Sequence, residues 1–64
     1  MPRCLIGQAV DVDGSMIWDF YLRLDSKVEA FNGVKRITFA DDEALSSFVD
    51  SRTSMVIHWE ANGS

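Results

Sequence analysis

Apolar and polar residues alternate along most of this chain, and turn dipeptides cut the alternation into short runs. Asp13-Gly14 separates two apolar-rich runs, and Asn32-Gly33 does the same further on. Such pairs suit two-residue type I′ turns, whose central residues both take positive φ. The first predicts a hairpin of residues 3–12 and 15–24. In that register Ala9 faces Trp18, Gly7 faces Phe20 and Leu5 faces Leu22 on one side of the sheet. Small residues opposite large aromatic ones fill space well. The other side carries Val10 opposite Ile17 and Ile6 opposite Tyr21.

Residues 27–31 and 34–39 read as a second hairpin around Asn32-Gly33, preceded by a tight turn at Asp25-Ser26. Glu29 then sits opposite Arg36. One helical turn competes for the first of these segments. Ser26 and Glu29 have capping-box spacing, Val28 and Phe31 lie three apart, and Gly33 suits a C′ position. The hairpin is the favoured reading. Residues 34–39 form a strand either way, with Ile37 and Phe39 on one face and Arg36 and Thr38 on the other.

The period changes at residues 41–52. Leu45, Phe48, Val49 and Arg52 follow helical spacing, with Ser46, Ser47, Asp50 and Ser51 on the wet side. Asp41 or Asp42 can cap this helix, and Glu43 adds charge that the helix dipole favours. A strand over residues 54–60 follows, alternating Met55, Ile57 and Trp59 with Val56, His58 and Glu60. Residues 61–64 should fray.

The expected fold is therefore α+β, a single small domain over residues 1–64. A small antiparallel sheet is built from hairpins, one helix packs on one face, and a C-terminal strand closes it. One helix covers one face, yet both faces of the first hairpin are apolar. The uncovered set predicts an interaction patch.

Composition narrows the function. The 64 residues hold 6 Lys and Arg against 10 Asp and Glu, a net charge of -4 with His neutral. Residues 41–64 hold one base and five acids, whereas Arg23, Lys27, Lys35 and Arg36 form the only basic cluster. An acidic chain argues against direct binding to nucleic acid. No apolar run reaches the roughly 18 residues of a membrane span. The first eight residues lack the long apolar stretch of a signal peptide, so a cytoplasmic protein is expected. One cysteine cannot form an internal disulfide.

Candidate chemistry is sparse. Asp11-Val12-Asp13-Gly14-Ser15 has the start of a calcium loop, but its twelfth position is Leu22 where a bidentate acid is required. Cys4 and His58 are two soft ligands where zinc needs three or four. As a nucleophile and base they lack an orienting third group. A buried structural cysteine and a half-exposed strand histidine are the simpler expectation. No catalytic residue, metal or cofactor is assigned, and no enzyme is expected.

The expectation is a small acidic interaction module that binds and regulates or inhibits a larger protein. Phages and mobile elements use compact acidic proteins of this kind against host nucleic-acid machinery, an analogy from size and charge alone. The alternative is a homo-oligomeric subunit that uses its surplus apolar face or an edge strand. Interface candidates are Val10, Ile17, Tyr21 and Trp59, with Asp41, Asp42 and Glu43 as steering charges or simply as a helix cap.

Overall fold

A computed structural model describes residues 4–60. The fold is α+β: a five-stranded antiparallel sheet with one helix. The strands are β1 (Cys4–Asp11), β2 (Ile17–Leu22), β3 (Val28–Phe31), β4 (Arg36–Phe39) and β5 (Thr53–Trp59). The helix α1 (Asp42–Arg52) joins β4 to β5. Sheet order is β4-β3-β2-β1-β5, so α1 connects strands at opposite edges. All paired strands are antiparallel, which makes β4 and β5 run the same way. The chain must therefore cross the sheet's width, roughly 19 Å, and also return along its length. Eleven helical residues span roughly 16 Å, so α1 lies across one face. Fraying at residues 61–64, and a first strand beginning at residue 3, lie outside the described residues.

Phe48 is the buried side chain of α1. Its ring meets Trp18 edge-on at 5.1 Å between centroids, Phe20 at 6.1 Å and Phe39 at 5.2 Å. Ala9 and Ala30 are fully buried beside them and leave room for these rings. Leu45 and Val49 pack at the margin of this core. The same face continues onto β5, where the Trp59 ring packs against Phe20 and lies over Gly7. Any Cβ at Gly7 would run into that ring.

Both ends of the helix are fixed. The Asp41 carboxylate accepts the Ala44 N–H at 2.9 Å, so Asp41 is the N-cap. At the other end β5 follows directly. The Thr53 hydroxyl donates to the Val49 carbonyl, and the Val12 N–H donates to the Arg52 carbonyl. Two of the carbonyls left over at the helix end are thus satisfied.

Several expectations need correction. The first hairpin keeps the predicted pairs Ala9–Trp18, Gly7–Phe20 and Val10–Ile17, but its loop is longer. The Asp11 N–H donates to the Met16 carbonyl, leaving residues 12–15 as a four-residue loop around the same centre. Gly14 alone takes positive φ there, and Asp13 does not. Asp13 is held as an Asx turn: its carboxylate accepts the Ser15 N–H at 2.9 Å and the Ser15 hydroxyl at 2.6 Å. Further along, Ile6 is an extra residue in β1, so Leu5 faces Tyr21 and Cys4 faces Leu22. This bulge turns Ile6 into the core and moves Leu5 to the opposite face.

The second hairpin forms, and the competing helical turn does not. The Asn32 N–H donates to the Lys35 carbonyl, so the turn is Gly33-Val34, one residue later than predicted, and Glu29 faces Thr38 rather than Arg36. Asn32 explains the shift. Its side-chain oxygen accepts the N–H groups of Val34 and Lys35, wrapping the turn around itself. Two bulges in β5, at Ser54 and Ile57, break its simple alternation. Met55 and His58 face one side, while Val56 and Trp59 face the helix side. Cys4 is exposed rather than buried. Arg52 is exposed too, its guanidinium lying 5.7 Å from the Phe48 ring centroid.

Phe48→Ala should cost about 3–5 kcal/mol, because three aromatic neighbours lose their packing partner. That approaches the whole stability of a small domain. Chemical denaturation of the two proteins measures it, and equal midpoints would contradict the helix placement.

Asp13 gives a pH prediction. The Ser15 hydroxyl first, and then the Ser15 N–H, hold its carboxyl below its ordinary value. The stability it contributes is present above the unfolded value of about 3.9 and is lost as pH falls through the folded one. The melting-temperature gap between wild type and Asp13→Asn should therefore shrink below about pH 4. A gap constant from about pH 7 to about pH 2 would contradict this.

Candidate functional site

The face opposite α1 is built by cross-strand pairing into alternating rows. Ile17, Val10 and Met55 are direct neighbours across β2, β1 and β5. Ile17 is 47% exposed and Met55 60%, with Val10 half-buried between them. The next row is polar: Asp19, Gln8 and His58. The Gln8 amide donates to the Asp19 carboxylate at 2.9 Å. Beyond it Leu5 pairs with the half-buried Tyr21.

The β3–β4 side of this face is charged. Glu29 is only 4% exposed. Arg36 lies 3.0 Å from its carboxylate and Arg23 4.0 Å. Arg23 also reaches Asp25 at 3.2 Å and donates to the Thr38 hydroxyl at 3.3 Å. The Arg36 guanidinium sits 5.2 Å from the Phe31 ring centroid. Two of the four clustered bases are therefore engaged with Glu29, although the pairing is diagonal. Removing Arg36 would take the nearer of these two charges from a nearly buried carboxylate.

Beside the Ile17 row, at the tip of the first hairpin, lies an open hollow of about 420 Å³. Val10, Gly14, Ser15, Met16 and Ile17 line it. The hairpin loop holds its shape through Asp11. Asp11 is 7% exposed, and its carboxylate accepts the Trp18 indole N–H at 2.7 Å and the Asp13 N–H at 3.2 Å. One side chain thus ties the loop to the core on the other side of the sheet. The calcium-loop fragment is in this way a hydrogen-bonded turn.

The candidate residues fall into three places. Val10, Ile17 and Tyr21 come together on the face opposite α1, and Leu5 and Met55 join them. Simple alternation predicts Leu5 on the other face and Met55 on the same face as Trp59. The bulges that redirect them carry no clear sequence signal. Trp59 lies on the helix side against Phe20, partly exposed. Asp41, Asp42 and Glu43 stand exposed at the start of α1, with Asp41 occupied as its cap.

Cys4 and His58 lie on neighbouring strands, but His58 faces Gln8, four residues from Cys4. That is roughly 13 Å along the strand, too far for proton transfer between them. The His58 imidazole instead lies 3.8 Å from the Glu60 carboxylate. Among the described residues no three His, Cys, Asp or Glu side chains gather to hold a metal ion. None of the described helices is long and apolar enough to cross a membrane. Comparison with protein-family models, with curated proteins and with solved structures finds no match in any of the three.

Proposed function

We propose that this chain is a small non-enzymatic interaction module that binds and regulates or inhibits a larger protein. The carrying observation is the Ile17–Val10–Met55 row, three adjacent apolar side chains on the face that α1 leaves uncovered. Apolar residues clustered on an open face, rimmed by polar groups, mark protein contact sites. The hollow beside the row would accept a side chain of the partner. The Asp19–Gln8–His58 row would fix orientation by hydrogen bonds. The acids at the start of α1 suit a partner with a basic surface, such as a protein that handles nucleic acid. The exposed Cys4 thiol fits a reducing compartment such as the cytoplasm.

Self-association is the second reading, supported by the same row, which is able to meet its own copy about a two-fold axis. Sedimentation of wild type and Ile17→Asp separates the two. Ile17 is exposed, so the variant should keep its fold, which circular dichroism checks. Under the first reading wild type is a monomer, and Ile17→Asp loses at least roughly tenfold in affinity for the protein partner recovered by pulldown. Neutralising Asp41, Asp42 and Glu43 together should mainly slow association and flatten its salt dependence. Under the second reading wild type is a dimer that Ile17→Asp dissociates. A monomer whose partner is recovered equally by all three proteins would overturn both.

A further inference from the structure

On the helix side, away from the face just described, α1 and β5 leave a groove of about 350 Å³ between them. Leu45, Val49, Val56 and Trp59 form its apolar floor, and Ser46 and Asp50 form a polar wall. Among the described residues β5 is an edge strand, with no strand beside the backbone groups on its outer side. Natural edge strands usually carry lysine or proline to block further pairing. β5 has neither, and Met55, Val56, Ile57 and Trp59 are all exposed along it. Its two bulges shorten the regular ladder, so the groove must supply the anchor.

We propose that the groove between α1 and β5 binds an extended basic-apolar peptide segment of another protein, which adds to β5 as a sixth strand. Alternate residues of an added strand point to one face. Those on the helix side would drop apolar side chains over Val56 and Trp59. A lysine or arginine two residues from such an anchor, and so on the same face, would meet the Asp50 carboxylate, which has no ion-pair partner among the described residues. The charge of the groove decides the occupant. A second copy of this chain carries a net charge of -4 and brings no lysine or arginine on its own β5. A basic segment complements the site, and main-chain hydrogen bonds supply sequence-tolerant affinity.

The test uses a capped nine-residue peptide with valine and lysine alternating at its odd positions and threonine at its even ones, so that both meet the groove, titrated into the full chain by calorimetry. It should bind saturably. Replacing its lysines by glutamate should weaken binding at least roughly tenfold. So should N-methylation of alternate peptide amides on the β5 side, which removes the ladder donors. Asp50→Lys, an exposed helix substitution, should reverse the preference and favour the glutamate peptide. Ile17→Asp should leave peptide binding unchanged, which keeps this site distinct from the opposite face. Absence of saturable binding, or binding indifferent to either peptide control or to Asp50→Lys, overturns the proposal. A stable dimer that Val56→Lys dissociates would assign the edge to a second copy and overturn it as well.

Discussion

The insertion of Phe48 between Trp18, Phe20 and Phe39 is the contact on which the rest of the structure depends. It joins α1 to strands in the middle and at one edge of the sheet in a single set of rings. Aromatic pairs in edge-on geometry add to the stabilisation from burial alone. The small residues Ala9, Ala30 and Gly7 make that packing possible by keeping the floor low. Trp18 brings a polar group into the core, and Asp11 satisfies it. A buried indole N–H without a partner would be costly. The core and the first hairpin loop are therefore one cooperative unit.

From that contact the two binding surfaces follow. Because α1 spends its one apolar stripe on Phe48 and its flanks, it cannot also close over β5. A groove remains there, floored by Leu45, Val49, Val56 and Trp59. Because there is one helix, the opposite face stays open. It is less apolar than its alternation suggests, since Gln8 with Asp19 and Glu29 with two arginines divide it. The Ile17–Val10–Met55 row is what remains for contact. The polar Asp19–Gln8–His58 row on one side limits non-specific association and favours a matched surface.

Most of the architecture was legible in the chain. Turn dipeptides placed both hairpins, and Asp41 with helical spacing at Leu45, Phe48 and Val49 placed α1 and its buried side. The register centred on Asp13-Gly14 held, because lengthening a loop symmetrically preserves its pairs. The bulges at Ile6, Ser54 and Ile57 were not legible, since any residue type can be the extra one in a ladder. They moved Leu5 to the open face and parted Met55 from Trp59, and with them part of the candidate site. The Asp11–Trp18 bond could have been found. In the predicted register Asp11 lies diagonally across from Trp18 on the same face, and a buried tryptophan needs an acceptor.

In the isolated chain α1 seals the helix-side face of the sheet from β4 to β1, short of the groove at β5, while the opposite face is open. Methyl and indole NMR with a soluble nitroxide relaxation agent tests this most directly. The Ile17, Leu5 and Met55 methyl signals should broaden strongly, while those of Ala9, Ala30 and the Trp18 indole stay sharp. Ile17 and Met55 methyls shielded at low protein concentration, or Ala30 broadened as much as they are, would contradict the account.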